Sequence, residues 1–278
     1  MGRILLATDG SEYSEGAVRE AINMAKTCGE QISAMSVVEI NPEFIALAPL
    51  LMEKLEEERK EYLKGIRERA AKENVECEVI TREGEEPYKS IIEEADKKRA
   101  EVIVMGRHGR KGLMRLLMGS TTARVIGHTT RNVLVVPMTL EIKWKNIVIA
   151  TDGSKYSEAA AKEAINLIKR CCTKTCTLNV IAVTRKDATK ERIQISENAL
   201  KEITSKAEKE NIKVDTSLIK DRLHESIHES IIEYAEEKNA DIIVMGSHGR
   251  TGLERLLMGS VTERVIGHTD RAVLVVKV

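Results

Sequence analysis

Two near-identical loops hold the residues best suited to chemistry: Gly106-x2-Gly109-x9-Gly119-Ser120 and Gly246-x2-Gly249-x9-Gly259-Ser260. Each follows an apolar run, Val102-Ile103-Val104 or Ile242-Ile243-Val244, and each carries a histidine and an arginine, His108 and Arg110 or His248 and Arg250. Glycine admits backbone conformations closed to other residues and lets N–H groups approach an anion with no Cβ in the way. Gly119-Ser120 and Gly259-Ser260 stand where the next helix should begin. A helix start offers unpaired N–H groups and the positive dipole end to a phosphate, and arginine pairs bidentately with phosphate oxygens. The dipole alone is worth about 0.3–1 kcal/mol. Several donors must therefore act together to reach the roughly 8 kcal/mol of micromolar binding. The same glycines also serve as plain turns and caps, and Gly112, Gly127, Gly252 and Gly267 recur with them, so repetition alone shows ancestry rather than function.

The elements that must position these loops also come in two copies. GRILLATDGSEYSEGAVREAINMA (2–25) returns as KNIVIATDGSKYSEAAAKEAINLI (145–168). Residues 105–130 against 245–270 give six mismatches in 26 positions, hence 20 identities. The chain is a tandem duplication, expected as domains 1–139 and 144–278 joined near Thr139–Lys143. Within the first copy, RILLA, QISAMSVV, CEVIT, EVIVMG and NVLVVP read as strands, and 51–73 as a long charged helix. TDGSEYSE supplies capping groups for a helix after the first strand. Pro87 suits a helix's first turn, and GSTTARVIGHT reads as the helix after the fourth strand. Consecutive apolar positions mark strands buried on both faces. Strand–helix alternation implies two α/β domains, each a doubly wound, Rossmann-like parallel sheet of five strands. Ligands of such sheets sit beyond the carboxyl ends of the strands.

Bulk properties exclude other classes. Lys+Arg and Asp+Glu balance at 44 each, and aromatic residues make up 3%. The chain therefore has no net field for nucleic acid and few stacking platforms for bases. No apolar stretch nears the roughly 18–20 residues that span a bilayer. MGRILLATDGS lacks a signal-peptide core, and Leu6 stands where N-myristoylation needs Ser or Thr. These features predict a cytoplasmic protein without nucleic-acid or membrane partners. Five cysteines, with Cys171-Cys172-x3-Cys176 matching neither zinc-ribbon nor CxxC spacing, are expected as reduced thiols.

With ATDGS at its start, VLVV at its end and G-x2-G-x9-G-S between, each copy resembles a universal stress protein domain over its whole length. The glycine pattern is similar to the adenine-nucleotide site of that family's ATP-binding branch. The resemblance implies ATP, ADP or AMP as ligand and a regulatory or sensory role in stress. By position it implies Asp9 near the ribose, beside Ala7 and Thr8, and Val37 reading adenine through its backbone. Met105, Gly106, His108, Gly109, Arg110, Gly119, Ser120 and Thr121 would complete that site around the phosphates. In the second copy it implies Ala150, Thr151, Asp152, Val183, Met245, Gly246, His248, Gly249, Arg250, Gly259, Ser260 and Val261. It further implies an intramolecular pseudo-dimer through the fifth-strand edges, and a homodimer of chains. One departure is LHESIHES (223–230), where the first copy has EGEEPYKS (83–90).

Other readings compete. Asp9 and Asp152 in D-G-S suit helix N-capping. His108 and His248 suit loop packing, and His128 and His268 suit helix C-termini. His224-Glu225-Ser226-Ile227-His228 is formally H-E-x-x-H, but no third zinc ligand follows at a recognised spacing. No Walker loop, kinase HRD or DFG set, or paired carboxylates with a matched base are present. No catalytic or metal residue is therefore assigned. A slow ATPase, a self-phosphorylating protein and a ligand-independent scaffold remain the alternatives. A magnesium ion could accompany the phosphates, though no carboxylate cluster demands one.

Overall fold

A computed structural model describes residues 2–40, 49–108, 118–172, 176–221, 227–250 and 258–278. Gly109, Arg110, Gly112, His224, Glu225 and Gly252 lie outside the described residues. The chain divides into two compact units, with the join between Thr139 and Leu140.

The first unit runs β1 (Arg3–Ala7), α1 (Glu15–Cys28), β2 (Gln31–Glu39), α2 (Pro49–Lys72), β3 (Cys77–Gly84), α3 (Pro87–Lys97), β4 (Val102–Gly106), α4 (Ser120–His128) and β5 (Asn132–Val136). Its strands pair in parallel in the order β3-β2-β1-β4-β5. The second unit runs β6 (Asn146–Thr151), α5 (Lys155–Cys171), β7 (Thr177–Arg185), α6 (Lys190–Glu208), β8 (Lys213–Asp221), α7 (Ile227–Glu237), β9 (Ile242–Gly246), α8 (Ser260–His268) and β10 (Ala272–Val276). Its parallel order is β10-β9-β6-β7-β8. Both are the doubly wound sheets the alternation predicts. The chain leaves β1 toward β2 on one side, while β4 lies on the other, so strand order reverses between β1 and β4. In the second unit it reverses between β6 and β9. These switch points open the crevice in which such sheets bind ligands.

The central strands form the core: β4 and β9 are apolar and buried along their whole length, as are residues 4–7 of β1 and 147–149 of β6. Ile4, Leu5, Leu6, Ile103, Ile147 and Ile149 are fully buried, each worth about 1.5–3 kcal/mol relative to exposure. The edge strand β3 continues past the apolar run CEVIT to Gly84, which pairs with Glu39. It is held there by the backbone ladder rather than by apolar side chains, which is why hydrophobicity ended it early. In the second unit the Asp241 carboxylate accepts N–H groups from Lys143 (3.2 Å), Lys145 (2.7 Å) and Asn146 (3.0 Å), tying the entry of β6 to the start of β9.

Cys77, Cys172 and Cys176 are free thiols. Cys28, closing α1, and Cys171, closing α5, are disulfide-bonded, which corrects the expectation of five reduced thiols.

Candidate functional site

The first-strand turns are built from the T-D-G-S tetrapeptides. Gly10 and Gly153 take φ of +71° and +75°, the left-handed region that turns the chain out of the strand. The Thr8 hydroxyl meets Ser14 Oγ at 2.8 Å and accepts the Gly10 N–H at 3.2 Å. Thr151 repeats this with Ser157 Oγ (3.1 Å) and the Gly153 N–H (3.3 Å). The two aspartates do not cap helices. Asp9 Oδ1 accepts the N–H and hydroxyl of Ser11 at 3.0 and 2.7 Å. Asp152 Oδ1 accepts the Ser154 N–H at 3.0 Å, while Oδ2 accepts the Arg250 N–H at 2.9 Å. Asp152 thereby joins the turn after β6 to the glycine loop after β9. The α5 cap is Ser154, whose side chain accepts the Ser157 N–H.

The glycine loops close at their bases. Gly119 N–H donates to Arg107 C=O and Gly259 N–H to Ser247 C=O, both at 2.8 Å. The hydroxyls of Thr122 and Thr262 donate to the carbonyls of Gly106 (3.0 Å) and Gly246 (2.9 Å). These two buried threonines pin the start of α4 and α8 to the ends of β4 and β9, a positioning role that sequence reading missed. Gly119 and Gly259 are the N-caps and carry no side-chain cap bond. The first intrahelical bonds run from Ala123 to Gly119 and from Glu263 to Gly259. The N–H groups of Ser120, Thr121, Ser260 and Val261 therefore have no partner within their own helices, as at any helix start.

The glycines differ in why they are glycine. A Cβ on Gly246 would lie 2.6 Å from Tyr156 Cβ and 2.7 Å from its carbonyl carbon, and one on Gly106 would lie 2.9 Å from Tyr13 O. Packing of the following turn demands both. A Cβ on Gly249 would fall 2.9 Å from Asp152 Oδ2. Gly259 is otherwise: its φ and ψ of −66° and 138° suit any residue, and its Cβ would sit 3.3 Å from His248 Cα. Its three nearest neighbours, His248 Cα, Ser247 O and Gly249 N, are all backbone, but they need give way by only a few tenths of an ångström, so the protein's own demand for glycine is much weaker there than at Gly246.

Val37 and Val183 reach the same crevice through their backbones. Met35 C=O accepts the Thr8 N–H at 3.0 Å. Strand alternation turns the N–H and C=O of Val37 to that same side, one step beyond the last β1 residue. Thr177 N–H donates to Lys145 C=O, so Val183 faces β6's side by the same parity. Ala7, Thr8, Thr151, Met105 and Met245 are buried beneath the crevice, with Ala150 half-buried beside it. His248 packs its ring 5.4 Å from that of Tyr156 and meets Ser247 Oγ at 3.2 Å. His108 is half-buried at the base of its loop. Ser120 and Ser260 are exposed.

Among the described residues no group of three or more His, Cys, Asp or Glu is placed to hold a metal ion. Of the H-E-x-x-H residues, His228 is buried with its ring 5.2 Å from that of His268, where the first unit stacks Tyr88 on His128 at 5.3 Å. Burial lowers the His228 pKa below its ordinary value; Glu229 opposes this, while His268 and Arg264 add to it. Because the unfolded chain then holds the proton more tightly, stability rises with pH through this range. The His228 contribution is complete above about pH 6.5 and is lost as pH falls through the lowered folded value. We expect His228→Tyr, the first unit's solution, to flatten the stability of the second unit between about pH 7 and 5. Denaturant melts of equal pH slope in both proteins would refute this.

Among the described residues no helix is long and apolar enough to cross a membrane. The protein-family model described as "Universal stress protein family" matches residues 1–137 and 143–277. Universal stress protein MJ0531 of Methanocaldococcus jannaschii is 40% identical over 145 residues, covering 48% of this chain and 82% of that protein. Universal stress protein MJ0577 of the same organism is 32% identical over 158 residues, covering 50% of this chain and 98% of that protein. A solved universal stress protein from Archaeoglobus fulgidus superposes with a TM-score of 0.76 at 23% identity, over 99% of this chain and 96% of that one.

Proposed function

Because the chain belongs to the universal stress protein family, with two copies of its domain in tandem, we propose that each unit binds an adenine nucleotide. ATP, ADP or AMP would lie across the switch point, and the bound protein would act as a stress-response regulator or sensor. The observation that carries this reading is Gly259. It is a glycine for which neither backbone conformation nor packing makes a strong demand, set at an uncapped helix start beside the strand ends. Close approach of an anion to the backbone supplies the missing reason. Ser120 and Thr121, following Gly119, offer the same donors in the first unit. Val37 would read adenine through the N–H and C=O that β1 leaves over, and Val183 through its C=O, its N–H being taken up in the ladder to Thr151. Asp9 and Asp152 would meet the ribose, and a magnesium ion could accompany the phosphates.

Calorimetric titration of nucleotide-stripped protein with ATP and then AMP, with magnesium present, tests this. Two sites per chain are expected. Absence of heat at several temperatures, together with an unmoved melting curve, would overturn the reading in favour of a ligand-independent scaffold.

A further inference from the structure

In the second unit the first turns of α6 pack over the loop that carries Asp152. A Cβ on Gly153 would lie 2.8 Å from Ile195 Cγ2 and 3.8 Å from Ala199 Cβ. Arg192 stands one turn before Ile195, on the same helix face. It is half-exposed, while Thr189 caps the helix below it by accepting its N–H at 3.2 Å. Its guanidinium interacts electrostatically with both Arg250 and Asp152. Withdrawal from water and the like charge of Arg250 lower its pKa, and Asp152 acts the other way. Arginine nonetheless stays charged at neutral pH. Asp152 is already engaged with the N–H groups of Ser154 and Arg250. Arg192, placed by the packing of Ile195 on Gly153, thus lies within electrostatic reach of Asp152 and of Arg250 at the end of β9's turn, two positive charges to one negative, a balance suited to an anion.

The first unit treats its arginine differently. Arg59 of α2 donates to the Asp9 carbonyl and is 7% exposed, packed over Gly10 beside Tyr62. That guanidinium is a structural brace rather than an available clamp.

We propose that Arg192 is a specificity-determining residue of the second site, where with Arg250 it engages the outer phosphates of a nucleoside di- or triphosphate. The second unit then prefers ATP and ADP to AMP. This rests on the nucleotide reading above and adds the ligand class to one of its two sites.

The test titrates the full, nucleotide-stripped chain with ATP and with AMP, comparing the unaltered protein with Arg192→Ala and Arg192→Lys. Arg192→Ala should weaken ATP binding at one of the two sites about tenfold to a hundredfold, the scale of one or two charge-assisted hydrogen bonds, and leave AMP binding unchanged. Arg192→Lys should recover part of the loss, because it restores the charge but not the planar fork. It also decides the matter if Arg192→Ala melts early without ligand. Equal weakening of ATP and AMP, or an unchanged ATP isotherm, would overturn the role of Arg192 while leaving the nucleotide site standing. If the unaltered protein bound neither nucleotide, the site reading itself would fail, visibly before any variant was made.

Discussion

Gly246→Ala is expected to destabilise the second unit by about 3 kcal/mol, the upper end of what overpacking a filled interior costs. The added methyl would lie 2.6 Å from Tyr156 Cβ, 2.7 Å from its carbonyl carbon and 2.8 Å from its oxygen. Two of those three atoms are backbone, so no rotamer change relieves the clash. The first turn of α5 must lift from β9, and with it the ring of Tyr156 that His248 packs against. At roughly 2–4 °C per kcal/mol for a domain of 150–250 residues, the loss is readily seen in a calorimetric scan. Gly259→Ala provides the control in the same loop. Its methyl meets His248 Cα at 3.3 Å in an unstrained conformation, so its cost should stay near the roughly 0.5 kcal/mol of an ordinary surface change. If the two variants melted alike, this division of the glycines into packed and ligand-facing would be wrong.

Ligand binding should reverse their order. A nucleotide at 100 times its Kd adds about 2.7 kcal/mol to the stability of the unit that holds it. Gly259→Ala, nearly silent without ligand, should lose most of that gain in the second unit, because its methyl occupies the approach to the N–H groups of Ser260 and Val261. Gly246→Ala should lower the starting stability yet keep a nucleotide-dependent rise, provided the unit remains folded. Melting curves with and without ATP for the three proteins give the comparison directly. A full ATP shift in Gly259→Ala would show that the anion does not reach this backbone, and the helix start would then be only a turn.

Much of this architecture is legible in the sequence. The repeat marks the duplication, and apolar runs ended by glycine mark buried parallel strands. Their alternation with helices leaves few topologies other than a doubly wound sheet. Period and turn chemistry are local properties, carried by neighbouring residues. That is why RILLA coincides with β1 and Pro87 opens α3.

Only the tertiary structure decides the rest, since it depends on partners far apart in the chain. The bond from the Arg250 N–H to Asp152 spans 98 residues. It makes Gly249 a glycine for the sake of a carboxylate that no spacing rule connects to it. Gly246 and Gly259 look alike in sequence, yet one is filled by Tyr156 and the other is not. Arg192 lies on a helix where the two copies have diverged, so the repeat gives no hint of it. His228, read as part of a formal zinc motif, instead packs against His268, 40 positions (268 − 228) away. Sequence period determines which face of an element is buried. What that face meets is set by how α6, α7 and α8 come to rest on the sheet, and the chemistry of the site follows from those contacts.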